Sequence, residues 1–241
     1  RRARAAARRR GGLMSIPFYV SPEQLMQDKA DFARKGIARG KSIVALEYDK
    51  GIVLLAENPS SLSKIGEIYD RLAFAGVGKF SEFDQLRKIG VRFCDVRGYA
   101  YSREDVRAKA LANAYSQAIG DVFTQQMKPL EAEVIVAEVG DPHLLGQEKN
   151  TLYRVQFDGS ISDHRGFCGI GGTVEQLEIY LKEHYRAGQP LGEVVRVGVA
   201  ALSNGGNRIA AERLEMCTLD RERPGRKFRR ASADEVAAIL G

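Results

Sequence analysis

The feature that most constrains the fold is the stretch 21–58, in which a short amphipathic helix leads directly into a tight β-hairpin. Ser21 is a favoured N-cap residue, and Pro22 suits the first helical position because its missing N–H would have no partner there. Gly36 is expected to end the helix. Apolar residues recur at three- and four-residue spacing and form a stripe that has to dock on something: Leu25, Met26 and Phe32.

The hairpin that follows consists of two apolar runs, 43–48 and 52–56, joined by a short turn. Gly51 lies in this turn and is able to take the positive φ that tight hairpin turns favour. Farther along, the residue pattern predicts strands at 73–78, 133–139, 152–157, 167–170, 214–219 and 227–230. It predicts helices at 79–99, 102–122, 173–185, 190–202 and 234–240, with Ser102 and Asp105 as a capping box for the second.

This order of elements defines the fold class. Strands, two helices, strands, two helices and further strands follow one another in 241 residues, and no Pro/Gly-rich linker divides them. Such an order fits neither a helical bundle nor an all-β fold, and the strict alternation of parallel βαβ proteins is missing. The pattern predicts a single α+β domain, which two sheets packed face to face with a helical layer outside each would accommodate.

The net charge of +6 comes from one end of the chain. Residues 1–13 hold six arginines and no acidic residue, and the rest of the chain carries 31 basic and 31 acidic side chains. We therefore divide the sequence into a basic, disordered arm, 1–20, and a folded domain, 21–241. The arm is interpreted as a tail or as an over-extended start with translation from Met14; the alternative is a segment that binds nucleic acid or an acidic partner. No apolar run approaches the roughly 18 residues that a membrane span needs.

The sequence offers no recognisable active site. No threonine precedes Thr124, and Ser42 is the only hydroxyl residue near the start of the first strand. The histidines are accompanied by no G-x-S-x-G elbow, and no two Cys or His residues lie at metal-ligand spacing. We expect no catalytic residue, metal or cofactor. Three widely spaced cysteines are predicted to be buried free thiols: Cys94, Cys168 and Cys217.

Five separated segments carry a resemblance to a known family: ARKGIARGKSIVAL, SKIGEIYDR, GKFSEFD, VRGYAY and DGSI. In this order they resemble the α-subunits of actinobacterial proteasomes, from about Pro17 to Arg230. The resemblance implies the four-layer αββα sandwich of the N-terminal-nucleophile hydrolases. Catalytic members of that superfamily use a processed N-terminal Thr, Ser or Cys, whose free amine is the base. Ser42 could be such an N-terminal nucleophile only if the capped helix before it were removed, so the resemblance implies a non-catalytic member.

The resemblance further implies a homo-heptameric α-ring that caps a ring of proteasome β-subunits, gates substrate entry and docks a hexameric AAA ATPase activator. Its substrates would be unfolded proteins, pupylated in actinobacteria, and its location cytoplasmic. Lys64 matches the lysine that pairs with the C-terminal carboxylate of an activator tail, and Gly36 and Gly78 match positions where the tail approaches closely. Two other functions stay open, an autonomous hydrolase of the same fold and a basic-arm nucleic-acid-binding protein.

The resemblance also assigns roles to apolar residues. The segment before Ser21 is expected to converge on the ring axis and to supply gate residues, Ile16, Pro17, Phe18 and Tyr19. Contacts with neighbouring α- or β-subunits are expected from two helices, through Leu25, Met26 and Phe32 on the first and Phe80 and Phe83 on the one that follows Gly78. Either stripe is equally compatible with an ordinary core, and the sequence does not separate the two.

Overall fold

The computed structural model describes residues 21–203 and 209–241, in which six α-helices and ten β-strands form. The helices are α1 (Pro22–Ala38), α2 (Phe80–Ala100), α3 (Ala108–Gln125), α4 (Val174–His184), α5 (Leu191–Leu202) and α6 (Ala233–Leu240). The strands are β1 (Ile43–Tyr48), β2 (Gly51–Glu57), β3 (Ile65–Tyr69), β4 (Leu72–Gly78), β5 (Ala132–Glu138), β6 (Thr151–Val155), β7 (Ile161–His164), β8 (Phe167–Ile170), β9 (Leu214–Asp220) and β10 (Phe228–Arg230). They build two five-stranded antiparallel sheets with the orders β10-β9-β2-β1-β8 and β3-β4-β5-β6-β7.

The predicted hairpin is the centre of the first sheet. Strands β1 and β2 pair in register from Ile43 with Ala56 to Tyr48 with Gly51. Gly51 does not take a positive φ, so that part of the prediction is wrong. It is needed for close approach instead, because a Cβ at this position would lie 1.9 Å from the carbonyl oxygen of Leu219 on β9.

The faces of the two sheets that meet each other and the helices consist mainly of apolar residues, and this packing makes the domain a four-layer αββα sandwich. Along β2, Leu54 enters the core between the sheets, whereas Val53 and Leu55 point to the helices outside, as alternation along a strand requires. Helices α2 and α3 cover the second sheet, and α4, α5 and α6 cover the first. The predicted α+β sandwich is thereby confirmed.

Several element boundaries differ from the prediction. Helix α1 continues through Gly36 to Ala38. Ser102 does not cap α3; its side chain accepts a hydrogen bond from the Glu104 N–H in a separate 3₁₀ turn, and α3 begins only at Ala108. Strands β3 and β7 were not expected, whereas α2, α4, α5 and β8 lie where the pattern predicts them.

The three cysteines are buried free thiols, as predicted. Within residues 21–203 and 209–241, no helix combines the length and the apolar character needed to cross a bilayer.

Candidate docking site

Lys64 lies at the end of the connection from β2 to β3, where the chain passes from one sheet to the other. Its ammonium donates to two main-chain carbonyl oxygens, those of Lys41 at 3.1 Å and Glu57 at 3.0 Å. Burial lowers the pKa of Lys64, although the negative charges of Glu215 and Glu57 oppose this shift. Among the described residues, no carboxylate forms an ion pair with this ammonium. A cation held by neutral acceptors keeps its charge available for an incoming anion.

The carboxylate of Glu57, whose main-chain oxygen accepts from Lys64, pairs with other cations. The side chain of Glu57 pairs with Lys41 at 3.2 Å and with Arg213 at 2.8 Å. Both cationic side chains are more than half exposed, at 58% and 54%. The surroundings of Lys64 are therefore positively charged towards solvent, which suits a carboxylate ligand.

The two glycines predicted to admit a peptide tail both contact one residue, Glu131. A Cβ at Gly36 would lie 2.2 Å from Glu131 Oε2, and a Cβ at Gly78 would lie 2.0 Å from the Glu131 carbonyl oxygen. Gly40 connects this region to Lys64, since a Cβ added at Gly40 would lie 3.1 Å from the Gly78 nitrogen and Lys41 follows it in the chain. The structure thus brings Gly36, Gly78 and the Lys41 carbonyl together. At both glycine positions a larger residue would clash with Glu131 of the same chain.

An ion-pair network holds Glu131 in place. Lys128 bridges Glu131 at 2.9 Å and Glu82 at 2.8 Å, and Glu82 also accepts a hydrogen bond from the Glu131 N–H at 2.7 Å. Burial tends to raise the pKa of Glu82, but these donors and Lys79 outweigh it and lower the pKa. The loop that ends at Glu131 is therefore fastened to the first turn of α2.

A cavity of about 290 Å³ adjoins this region at the start of β1. Lys41, Ser42, Glu57 and Thr173 are among the residues that line it. Ser42 is 8% exposed, and its hydroxyl lies 2.8 Å from the Thr173 hydroxyl, a neutral partner that is a poor base. The backbone nitrogen of Ser42 is an amide bonded to Lys41 and not the free amine that an N-terminal nucleophile needs.

The predicted subunit contacts divide into exposed and buried residues. Leu25 and Met26 are each 39% exposed and Phe32 is 47% exposed, so the outer face of α1 is uncovered in the single chain. Phe80 packs partly against the helix–sheet core. Phe83 is only 4% exposed and lies against Gly76 of β4, so in the single chain its side chain belongs to the helix–sheet core. Sequence reasoning missed the exposed apolar residues of α2 and its C-terminus: Ile89, Val96, Tyr99 and Tyr101.

The expected gate residues, Ile16, Pro17, Phe18 and Tyr19, lie outside the described residues. Within the described part of the chain, no group of three or more His, Cys, Asp or Glu side chains is placed to hold a metal ion.

The four-layer sandwich defines the proteasome-like class of α+β proteins, and in this chain a capped helix precedes the first core strand. A family model described as "Proteasome subunit" matches residues 37–219, and the chain belongs to the proteasome subunit family. It is 50% identical to "Proteasome subunit alpha" of Geodermatophilus obscurus, over 94% of this chain and 82% of that protein. The corresponding subunits of Thermomonospora curvata (50%; 94% and 98%) and Sanguibacter keddieii (52%; 94% and 90%) are similarly related. The predicted resemblance to actinobacterial α-subunits is confirmed.

Proposed function

We propose that this chain is a non-catalytic α-type subunit of a proteasome core particle, which assembles into a homo-heptameric ring on a ring of β-subunits. The similarity to proteins named proteasome subunit alpha supports the assignment. The observation that carries it is α1, which precedes β1 and places the backbone of Ser42 inside the chain. Without a free amine at the start of the first strand, the superfamily's nucleophile has no base.

A fluorogenic-peptide assay tests the absence of catalysis in this subunit. Peptidase activity is expected only when the full chain is co-expressed with its β-subunit, and Ser42→Ala in this chain is expected to leave that activity unchanged. Activity of the isolated chain that Ser42→Ala abolishes would establish the competing hydrolase function instead.

Lys64 is the proposed docking residue for the C-terminal carboxylate of a hexameric AAA ATPase. Support comes from its ammonium, which two carbonyl oxygens hold at 3.1 and 3.0 Å while the charge stays unpaired by any carboxylate of the described residues. A carboxylate that pairs with such a cation gains a charge-assisted hydrogen bond worth about 1.5–3 kcal/mol. The Gly36–Gly78 region beside Lys41 is the proposed path of the tail.

Lys64→Ala in the assembled particle is the variant that tests docking. We expect tail affinity to fall about tenfold to a hundredfold, and ATPase-stimulated degradation of a pupylated protein to fall with it. Hydrolysis of small peptides should not change. Lys88→Ala is the matched control, because Lys88 is an exposed lysine of α2 paired with Asp84 at 2.7 Å and lies outside the proposed site. Equal stimulation in the Lys64→Ala particle would refute docking at this lysine.

The proposal also includes gating by residues 16–19, a cytoplasmic location and substrates that are unfolded, pupylated proteins. These parts are supported by the family similarity. If the gate lies in this segment, deletion of residues 1–20 raises small-peptide hydrolysis by the assembled particle. Unchanged hydrolysis after the deletion would remove the gate from the proposal and leave the docking role unaffected.

A further inference from the structure

Glu215, on β9, is a nearly buried carboxylate with an unusual number of donors. Its side chain is 8% exposed. It accepts hydrogen bonds from the Lys64 N–H at 2.9 Å, the Ile65 N–H at 3.1 Å and the side-chain amide of Asn58 at 2.8 Å, and it pairs with Arg230. An ionised carboxylate offers about four acceptor sites, so these donors use its whole capacity.

These hydrogen bonds fix the whole connection from Asn58 to Lys64. The Asn58 side chain also donates to the Leu62 carbonyl at 2.8 Å and accepts from the Ser60 N–H at 3.1 Å. The connection starts at the end of β2 in the first sheet and leads to β3 in the second, and Glu215 belongs to β9 beside β2. One side chain therefore fastens both ends of the segment where it crosses between the sheets.

We propose that Glu215 is a positioning residue for Lys64. Glu215 holds the backbone of Lys64, so that the Lys64 ammonium stays on the Lys41 and Glu57 carbonyls and faces an incoming carboxylate. This inference rests on the docking role proposed above. A lysine side chain has several freely rotating bonds, and docking one in a defined place costs less when its backbone is already fixed. Glu215 does not contact the ligand in this account, because its oxygen atoms are occupied by protein donors.

Glu215→Gln is the variant of choice because it keeps the shape of the side chain. It replaces one acceptor oxygen by an NH₂ donor, which would face the N–H groups of the connection, and it removes the charge opposite Arg230. Glu67→Gln is the matched control. Glu67 is a carboxylate of β3 that pairs with Arg226 and has no hydrogen bond to the connection from Asn58 to Lys64 among those of the described residues.

The first readout is the rate at which an N-hydroxysuccinimide acetate acylates Lys64 in the assembled particle, measured by peptide mass spectrometry relative to Lys88. In the native particle Lys64 should react slowly, because its ammonium is partly buried and engaged with two carbonyls. We expect Glu215→Gln to raise this relative rate by about threefold to tenfold, and Glu67→Gln to leave it unchanged. Loss of the Glu215 charge would by itself also lower the pKa of Lys64 and speed its acylation, but it would strengthen the binding of an anionic tail, so the second readout separates repositioning of Lys64 from this electrostatic effect.

The second readout is the affinity of a synthetic peptide copied from the C-terminus of the cognate ATPase, with its C-terminal amide as the control ligand. Glu215→Gln is expected to lower the affinity of the peptide with a free C-terminal carboxylate about tenfold. The affinity of the amide peptide, which is already low, should not change. Unchanged acylation of Lys64 in Glu215→Gln overturns the positioning role, whatever the peptide does. Faster acylation with undiminished peptide binding also overturns it, provided that Lys64→Ala abolishes binding. Peptide binding that survives Lys64→Ala overturns the docking function itself, and the positioning role for docking falls with it.

Discussion

At the scale of single residues, the glycines of the candidate site owe their identity to the close approach of Glu131. Gly36 is helical, and Gly78 has a φ of +108°, a conformation that other residues rarely adopt. At Gly36 an added methyl group meets the Glu131 side chain, which has some freedom to move, whereas at Gly78 it meets backbone. The two positions therefore differ in what a substitution costs.

We expect Gly78→Ala to lower the free energy of unfolding by about 3 kcal/mol or more, since strain in φ adds to the backbone clash. Gly36→Ala should cost less, about 1–2 kcal/mol, because alanine regains up to about 1 kcal/mol of helix propensity. Gly188→Ala is the control, because Gly188 has a φ of +77° and an added Cβ would meet nothing within 4 Å. Its cost should therefore be the backbone strain of a positive φ without a steric clash, about 1 kcal/mol. Urea unfolding measures all three, and a Gly78→Ala midpoint no lower than that of Gly188→Ala would contradict the steric argument.

The cysteines give a second prediction at this scale. Burial raises the pKa of each thiol to about 12, at Cys94, Cys168 and Cys217. The thiolate is the reactive form, so at pH 8 the folded chain should resist iodoacetamide, and all three thiols should react in urea. Mass spectrometry counts the labels. Rapid modification of any of the three in the folded chain would show that its surroundings open to solvent.

At the scale of elements, the sequence predicts best what is strongly periodic and local. The hairpin of β1 and β2 and the long helices α2 and α5 follow from their own residues. The start of α3 does not, because its first N–H is satisfied from a distant strand: Glu138 of β5 accepts from the Ala108 N–H at 2.8 Å. Ser102 has the side chain of a favoured helix N-cap, but it caps a separate 3₁₀ turn. Strand β7, with half its residues exposed, has no apolar alternation to reveal it.

The candidate site was predictable to the same limited extent. The resemblance identifies Lys64, but nothing local to Lys64 identifies Glu215, which lies 151 residues away in the sequence and meets it only because β9 joins β2 in the sheet. Likewise, Gly36 and Gly78 are recognisable as positions for close approach, whereas Glu131 as their neighbour is a product of the fold.

Glu138 should contribute strongly to stability. It is 2% exposed, pairs with Arg107 at 2.7 Å and with buried Arg71 at 3.4 Å, and holds the first turn of α3. Glu138→Ala leaves Arg71 buried without its carboxylate, and we expect a loss of about 3–5 kcal/mol in the free energy of unfolding. Glu222→Ala, which removes the exposed pair with Lys50, should leave the denaturation midpoint almost unchanged. Similar midpoints for the two variants would contradict the proposed role of Glu138.

Two phenylalanines separate a contact role from a core role. Phe32→Glu on the exposed face of α1 should change the stability of the isolated chain by no more than about 0.5 kcal/mol but prevent ring assembly. Phe83→Glu places a charge in the helix–sheet core and should unfold or severely destabilise the chain itself. Thermal unfolding and size-exclusion chromatography distinguish these outcomes. Normal assembly of Phe32→Glu would exclude this part of α1 as a subunit contact.

At the scale of the whole molecule, the two sheets form the buried centre of the domain, and the candidate docking residues lie at one end of it. Helix α1, the start of β1, the crossing from β2 to β3 and the loop before β5 meet there, joined by Lys64, Glu215 and Glu131. The same end would hold the nucleophile of a catalytic relative. In this chain the capped helix α1 precedes β1 at this end, and Lys64 lies beside it, which is the basis of the proposed docking and assembly role.

The central claim, that the chain is a ring-forming α-type subunit without catalysis of its own, is tested most directly by native mass spectrometry. The full chain is analysed alone and after co-expression with its β-subunit, and each species is assayed for peptidase activity. If the chain is such a subunit, peptidase activity should appear only with β, in a particle that contains two heptameric rings of each subunit. A monomer that ignores the β-subunit and hydrolyses peptides by itself would contradict it.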